Sequence, residues 1–448
     1  MTKGMSAKIH YSFVVDENPV FAYQGWHLAN SLRRHCAAHA EEIHVQFTQS
    51  VMSEVIALFE AEGYHIHPIV PFGDGKWCNK LSQLPNIFND ECDYFVLLDT
   101  DMIAVADLRS FIFGDAVQGK IVDCPNPSLA TLQELYARAG GKREPRLIAT
   151  ETEDAQTFFG NANGGFYAIP TPLARRFSEE WRRWAEWLLA NDEPLQREGK
   201  SGHIDQISAA FAVQLSDVPF ANAPSNINYF VHFKGTHRYL DHGRPIALLH
   251  YHTASMNVLG LIEPPFPLDD AETAAVAEAN RLISTDFQNA LFWNYRYAAH
   301  PGRGSGVGSR GENLLYKRQL LKEQGVESAQ SVLDVGCGDL EVLRELNIHD
   351  YIGLDVSQEA LKTARAARPD WQFALLQNQP SDKREMVLCL EVLIHQSTRE
   401  DYHRLEQSPS DMNQKGDSRI GPFYDLWIAP RYGGGWDGAL ARSSQTGG

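Results

Sequence analysis

Residues Tyr94–Met102 read Y-F-V-L-L-D-T-D-M, an apolar run that ends on two aspartates. A short continuous apolar run is typical of a strand buried on both faces of a parallel sheet. Such a strand ends where the sequence turns polar, here at Asp99 and Asp101. Ligands of open α/β sheets bind at the carboxyl ends of the strands. Two carboxylates at that position can bind one divalent cation, which can in turn hold a diphosphate.

The same stretch allows two other interpretations. The aspartates could be solvated side chains at a strand end, with no ligand. They could also form the D-x-D nucleophile motif that haloacid-dehalogenase-like phosphatases carry after an apolar strand. That motif normally opens its fold, whereas three predicted strands precede Asp99 here.

The chain before Asp99 predicts alternating strands and helices. The predicted elements are the strands Lys8–Asp16, Ile43–Phe47 and Tyr64–Val70 and the helices Phe21–His35, Val51–Glu62 and Lys76–Leu84. Their β-α-β-α-β order predicts a parallel, Rossmann-like sheet.

Two further motifs follow the aspartates. Asn161–Pro170 reads N-A-N-G-G-F-Y-A-I-P, in which the paired glycines allow the backbone to approach a ligand closely before a strand. His203–Ala210 begins a helix that carries the pair Asp205 and Gln206; Asp205 could also be only an N-terminal helix charge. The tryptophan stripe in the intervening helix, at Trp181 and Trp184, predicts core packing.

A late apolar strand, Ile246–His252, ends on two histidines. His250 and His252 are expected to share a face because side chains alternate along a strand. An imidazole together with two carboxylates suits Mn²⁺.

These four motifs, in this order, resemble glycosyltransferases of the GT-A fold over residues 8–260. The resemblance implies that Asp99 and Asp101 hold Mn²⁺ or Mg²⁺ with His250, with His252 or His232 as alternatives. It also implies that Asp205 and Gln206 are catalytic in a retaining reaction. The donor-binding residues that it implies are Val14, Asp16, Lys80 (with Asn79 as the alternative), Asp99, Asn163, Gly164 and Gly165.

The later part of the chain predicts a second Rossmann-like domain. Ser331–Leu340 reads S-V-L-D-V-G-C-G-D-L, and Tyr351–Ser357 reads Y-I-G-L-D-V-S. An acidic residue about twenty positions after a glycine turn can accept both ribose hydroxyls, a spacing that also fits NAD. The two motifs together with Met386–His395 resemble S-adenosylmethionine-dependent methyltransferases. The cofactor-binding residues that this resemblance implies are Asp334, Gly336, Gly338, Asp355 and Glu391.

Composition limits the function further. The 448 residues carry a net charge of −17, which argues against nucleic acid as a partner and against docking on anionic membranes. We expect no secretory signal and no stable membrane insertion. Six scattered cysteines without C-x-x-C indicate reduced thiols and a cytoplasmic protein.

The sequence thus predicts an α/β protein with two Rossmann-like domains. The predicted boundaries are 1–262 for the glycosyltransferase domain, 263–287 for a linker helix, 288–406 for the methyltransferase-like domain and 407–448 for an irregular tail. The tail suggests a truncated or diverged methyltransferase end.

The expected activity is metal-dependent sugar transfer from a nucleoside-diphosphate sugar to a glycan or small-molecule acceptor, as in bacterial glycan biosynthesis. The alternatives are methyl transfer, with the first domain binding a glycan or nucleotide, and a scaffold in which both sites are degenerate.

Overall fold

The computed structural model describes residues 7–88, 91–235, 237–378, 383–392 and 395, so the predicted tail 407–448 lies outside the described residues. The chain divides into two compact units, residues 1–307 with 356–363, and residues 308–355 with 364–448. The boundaries predicted at 262 and 288 both fall inside the first unit. No helix among the described residues has both the length and the apolar character needed to cross a membrane.

Twelve strands are described in the first unit: β1 (Ile9–Val15), β2 (Ile43–Thr48), β3 (His65–Ile69), β4 (Tyr94–Leu98), β5 (Met102–Ala104), β6 (Val117–Ile121), β7 (Leu147–Ala149), β8 (Gln156–Phe158), β9 (Ala162–Pro170), β10 (Phe220–Asn222), β11 (Tyr229–Phe230) and β12 (Leu248–His250). Seven of them form one sheet in the order β10-β6-β9-β4-β1-β2-β3. Strand β9 runs antiparallel to its two neighbours, and the other neighbouring strands are parallel. The parallel sheet predicted from the first three strands is therefore confirmed.

Alternate side chains of β4 lie in two different apolar cores. Val96 and Leu98 pack in one core, and Phe95 and Leu97 pack in the other. All four are almost completely buried. Burial on both faces explains why this strand is a continuous apolar run rather than an alternating one.

Nine α-helices of the first unit are described: α1 (Pro19–His35), α2 (Ser53–Ala61), α3 (Gln83–Ile87), α4 (Leu129–Arg138), α5 (Thr171–Leu189), α6 (Glu193–Glu198), α7 (Ile204–Leu215), α8 (Asp270–Thr285) and α9 (Asn289–Ala299). The helix predicted at Lys76–Leu84 is instead a 3₁₀ segment, Trp77–Ser82, that runs directly into α3.

The tryptophan stripe of α5 is core, as predicted. Trp181 and Trp184 are buried together with Phe177. The indole of Trp181 donates a hydrogen bond to the backbone oxygen of Asp205 at 2.7 Å. Helix α5 therefore fixes the start of α7.

A small second sheet, in the order β11-β12-β5, lies beside the end of β4. Strand β12 is antiparallel to β5, and His250 pairs with Met102. Since β5 begins right after the Asp-Thr-Asp segment, this pairing brings a late part of the chain to the carboxyl end of β4.

The predicted linker helix is not a free linker, because α8 and α9 pack against α1. The indole of Trp26 donates to the backbone oxygen of Asp286 at 2.8 Å. Tyr23 stacks on Tyr295 with ring centroids 4.7 Å apart. An alanine-rich helix followed by aromatic residues thus completes the core of the first unit.

The second unit contains a parallel four-stranded sheet. Its described elements are α10 (Gly311–Glu323), β13 (Val332–Val335), β14 (Tyr351–Asp355), β15 (Gln372–Leu375) and β16 (Met386–Leu388). Helix α11 (Gln358–Ala367) follows β14 in sequence. The strand order is β15-β14-β13-β16. Neighbouring strands are all parallel.

Candidate functional site

The Asp-Thr-Asp segment forms the turn between β4 and β5. The amide of Asp99 donates to the backbone oxygen of Gly165, and the backbone oxygen of Asp101 accepts from the amide of Tyr251, both at 3.1 Å. The side chain of Asp99 is 35% exposed and that of Asp101 is 18% exposed. The strand therefore ends with two accessible carboxylates at its carboxyl end.

His250 completes a cluster of three metal-ligating side chains. Its Nε2 lies 3.3 Å from Oδ1 of Asp101. One possible ligand atom from each of Asp99, Asp101 and His250 lies within 4.8 Å of the others. Two carboxylates and one imidazole form a donor set for Mn²⁺, and Mg²⁺ also takes carboxylate oxygens. The three residues fit one divalent ion.

The neighbours of His250 define which of its nitrogens carries the proton. The amide of Gly165 donates to Oδ1 of Asn163 at 3.0 Å, which identifies that atom as an acceptor. Asn228 Nδ2 donates to the same atom at 2.9 Å, so Asn228 presents its oxygen to His250 Nδ1, also at 2.9 Å. Because an amide oxygen only accepts, Nδ1 of His250 carries a proton. Nε2 faces Asp101 and is the ring nitrogen on the side of the metal-ligating cluster.

Asp101 is held in its charged form. Burial alone would raise its pKa, but the neighbouring imidazole of His250 outweighs burial and lowers the pKa to about 2. A carboxylate that stays ionised at neutral pH is the form that binds a metal.

Lys80 is a buried cation between two carboxylates. Its Nζ lies 2.6 Å from Oδ1 of Asp99 and 3.7 Å from Oδ2 of Asp205, and it donates to the backbone oxygen of Gly164. Burial would lower the pKa of Lys80, but Asp99 and Asp205 together raise it. Asn79, the alternative, bonds instead to the backbone of the preceding turn.

Asp205 lies in the first turn of α7 and is 3% exposed. Burial raises its pKa to about 6, although Lys80 works against this. Its Oδ1 has no hydrogen-bond partner among the described residues. A buried carboxylate oxygen without a partner is costly, which is typical of a group that receives a ligand.

Gly164 and Gly165 pass very close to the charged side chains. A Cβ on Gly164 would lie 2.7 Å from Oδ2 of Asp205 and 2.8 Å from Nζ of Lys80. A Cβ on Gly165 would lie 2.9 Å from Cε1 of His250. The absence of a side chain at these two positions is therefore what lets β9 approach the cluster.

The other predicted donor residues lie at the same side of the sheet. Val14 and Asp16 are at the carboxyl end of β1, both partly buried, and Asp16 accepts a hydrogen bond from the hydroxyl of Thr48 at 2.8 Å. Gln206 is partly exposed, and its Cγ lies 3.7 Å from the Cβ position of Gly164.

Two histidines that the sequence suggested as alternative ligands lie outside the group formed by Asp99, Asp101 and His250. Strand β12 ends at His250, and His252 has φ of +55°, so alternation along a strand does not orient its ring. The ring centroids of His232 and His252 are 5.4 Å apart. Nδ1 of His232 lies 3.2 Å from the backbone oxygen of His250.

Asn228 is the residue that sequence reasoning missed. It lies next to the two-residue strand β11, and its partners, Asn163 and His250, are distant in the chain. No local motif marks it, because its role exists only once β11 pairs with β12.

In the second unit the predicted residues cluster at the ends of β13 and β14. Gly336 and Gly338 have φ of +78° and +56°, and the amide of Gly338 donates to Oδ2 of Asp355 at 2.9 Å. Asp334 is buried in β13 and accepts from the hydroxyl of Tyr351 at 2.7 Å. Burial raises the pKa of Asp334 to about 7.

Glu391 forms an ion pair in the second unit. Its carboxylate lies 2.7 Å from Nζ of Lys317, whose side chain is 5% exposed. The backbone of Glu391 has φ of +57°.

Comparison with known proteins gives one family match. Residues 12–216, within the first unit, match the model of the Rhodobacterales glycosyltransferase domain. No curated protein matches the chain.

Similar solved structures include mouse xyloside xylosyltransferase 1 in its apo form, at 14% identity over 55% of this chain and 98% of that chain, with a TM-score of 0.36. They also include the galactosyltransferase LgtC in complex with donor and acceptor sugar analogues, at 16% identity over 62% and 96%, with a TM-score of 0.38. A third is the bifunctional glycosyltransferase WbbM in its apo form, at 14% identity over 62% and 50%, with a TM-score of 0.35.

Proposed function

We propose that the first unit is a metal-dependent glycosyltransferase of the GT-A type, which moves a sugar from a nucleoside-diphosphate sugar to a glycan or small-molecule acceptor. The observation that carries the proposal is the convergence of Asp99, Asp101 and His250 at the carboxyl end of a central strand. The match of residues 12–216 to a glycosyltransferase domain model supports the same reaction class.

The three ligating residues would hold Mn²⁺ or Mg²⁺. The ion, when bound, supplies positive charge that stabilises the departing nucleoside diphosphate. Asn228 accepts a hydrogen bond from Nδ1 of His250 and so turns Nε2 toward the ion, and Lys80 balances the negative charge of Asp99.

The donor sugar would lie over Gly164 and Gly165, beside Asp205. The unpartnered Oδ1 of Asp205 supports a role in accepting a hydrogen bond from a sugar hydroxyl. Gln206 is placed to contact the same ligand. Val14 and Asp16 would line the nucleotide side, Asn163 would lie with Gly164 and Gly165 at the donor sugar, and the reaction proceeds with retention in this proposal.

Ligand-induced stabilisation tests the metal and the donor together. The melting temperature is measured with Mn²⁺ and each of a panel of nucleoside diphosphates, for the parent protein, Asp101→Asn and the exposed control Asp115→Asn. At a hundredfold excess over its Kd a ligand stabilises the native state by about 2.7 kcal/mol. We expect one nucleotide to raise the melting temperature only with metal, in the parent and in Asp115→Asn.

Activity tests the same proposal independently. Release of nucleoside diphosphate from a matching sugar nucleotide should stop with EDTA and return with excess Mn²⁺. Full activity in EDTA, or equal stabilisation of Asp101→Asn, would contradict a metal held by these residues.

For the second unit we propose a site for S-adenosylmethionine. The four parallel strands support it, as does the turn in which Gly338 N bonds to the carboxylate of Asp355. Gly336 and Gly338 have the positive φ values that favour glycine in a cofactor-binding turn, and Asp355 would contact the ribose. Asp334 and Glu391 would line the same site.

Calorimetric titration with S-adenosylhomocysteine tests this second site. Binding that is lost in Asp355→Ala but kept in the control Asp370→Ala, an exposed aspartate of the same unit, is the expected result. If the folded parent takes up no S-adenosylhomocysteine, the second site is not a cofactor site.

A further inference from the structure

Three histidines lie together at the outer edge of the seven-stranded sheet. His44 is on β2, and His65 and His67 are on the edge strand β3. His44 and His65 are directly paired, and His67 is two residues further along β3. Paired residues and every second residue point to the same face of a sheet, so the three rings share one face.

This cluster is separate from the carboxylate site. His44 is the second residue of β2, and His65 is the first residue of β3. Strands β1 to β4 are parallel, and Asp99 follows the carboxyl end of β4. His44 and His65 are therefore near the amino ends of their strands, at the opposite end from the carboxylate site.

The ring nitrogens are already close. Possible ligand atoms of His44, His65 and His67 all lie within 4.8 Å of one another. Nδ1 of His44 is 2.9 Å from Nε2 of His67. The ring centroid of His44 is 5.1 Å from those of both His65 and His67.

We propose that His44, His65 and His67 bind one Zn²⁺. Three imidazoles with an open fourth position for water are a known zinc donor set, with Zn–N bonds of about 2.0–2.1 Å. Those bonds in a tetrahedron separate the ligand atoms by about 3.3 Å, so small rotations of the rings are sufficient. His65 is exposed and His67 is partly exposed, so the ion can enter from solvent.

A fourth histidine supports this assignment. Nε2 of His44 lies 2.7 Å from Nδ1 of His10 on β1, while its Nδ1 faces His67. A metal-binding histidine normally uses its second nitrogen to donate to an outer partner, which fixes the ring. His10 occupies that position. The ion would tie β3 to β2 and hold the edge of the sheet.

Without metal, the same contacts would be a row of hydrogen-bonded neutral imidazoles. Metal binding distinguishes the two arrangements. The full chain with Asp101→Asn and His250→Gln removes the first metal cluster and serves as the background. Zn²⁺ is titrated into it against a chromophoric chelator, and Co²⁺ uptake is followed by visible absorption.

We expect one Zn²⁺ per chain in the background, with a Co²⁺ spectrum typical of tetrahedral nitrogen ligation. His65→Ala and His67→Ala should each weaken Zn²⁺ binding by about tenfold or more, and His242→Ala, at an exposed histidine, should leave it unchanged. Circular dichroism checks that each variant is folded.

Two results would overturn the proposal. One is a folded background protein that takes up no Zn²⁺. The other is unchanged Zn²⁺ affinity in both His65→Ala and His67→Ala. Since the background lacks Asp101 and His250, either outcome is independent of the proposed glycosyltransferase activity.

Discussion

Nδ1 of His250 lies 2.9 Å from the side-chain oxygen of Asn228. This contact holds a proton on Nδ1 of His250, while Nε2 lies beside Asp101. Removing the acceptor in Asn228→Ala lets His250 adopt either tautomer. We expect Mn²⁺ affinity to fall by about 10–100-fold, the usual cost of losing an outer partner of a metal ligand. Isothermal titration with Mn²⁺ measures the change.

The carboxylate of Asn228→Asp still accepts from His250, so this variant should lose less affinity than Asn228→Ala. Asn191→Ala removes an amide that bonds only to local backbone, and it serves as the control. Equal Mn²⁺ affinity in Asn228→Ala and the parent would show that the amide does not orient the ring.

Lys80→Met should destabilise the first unit. The substitution leaves the buried carboxylate of Asp205 and the half-buried one of Asp99 without their cation. Breaking such a pair from one side costs about 3 kcal/mol of unfolding free energy. Chemical denaturation measures it, with the exposed Lys76→Met as control.

A double variant tests the cause of this loss. Adding Asp205→Asn to Lys80→Met removes one unpaired charge and should restore part of the stability. Asp205→Asn is also measured alone. If it lowers the unfolding free energy by the same amount in the Lys80→Met background as in the parent, the two side chains are not coupled.

Gly164→Ala should reduce activity while leaving the fold intact. The new Cβ meets the far ends of Asp205 and Lys80, which can move aside, but only by leaving their present positions. A displacement of about 1 Å in a catalytic group costs about 10²-fold in rate. Turnover of the sugar nucleotide gives the rate, and thermal unfolding reports on the fold. A Cβ at Gly302 meets nothing within 4 Å, so Gly302→Ala should match the parent in both.

Lys120 should make stability depend on pH above neutrality. It is fully buried in β6, with Nζ donating to the backbone oxygen of Asn228 at 3.0 Å and lying 3.0 Å from the ring centroid of Phe230. Burial lowers the pKa of Lys120 to about 7. The unfolded chain, with an ordinary lysine pKa, then binds more protons than the folded chain between pH 7 and about 10.4, so stability rises with pH across that range.

The gain in unfolding free energy from Lys120 is at most about 1.4 kcal/mol per pH unit. Denaturation of the parent and of Lys120→Met at several pH values isolates it, because other titrating groups are common to both proteins. For Lys142→Met, at an exposed lysine, the unfolding free energy should change with pH with the same slope as in the parent. If the unfolding free energies of the parent and of Lys120→Met changed with pH in parallel, the pKa of Lys120 would lie near its ordinary value.

The sequence predicted the parts of the fold that local patterns encode. The apolar run Tyr94–Leu98 is a strand because both its faces are buried, and the polar residues after it mark its carboxyl end. Three strands precede it, as predicted, which is unlike the phosphatase motif. His250 could be placed beside Asp101 only by resemblance, since β12 has three residues and too few side chains to show a period.

The remaining features depend on contacts between distant segments. Helix α8 has the composition of a linker, and contacts with distant segments, such as those of Trp26 with Asp286 and of His35 with Glu278, hold it in the first unit. Asn228 has no sequence signal for the same reason. Periodicity shows that a surface will be buried, but it does not identify the partner.

The pairing of β5 with β12 has a consequence for synthesis of the protein. Asp99 and Asp101 leave the ribosome long before His250, and domains fold as their residues emerge from the N-terminus. The strand that carries the aspartates can therefore form while His250 is still missing. Under the proposed function, a nascent chain would acquire the complete ligand set only after residue 250 has been translated, so shorter chains would not compete with the finished protein for metal or donor.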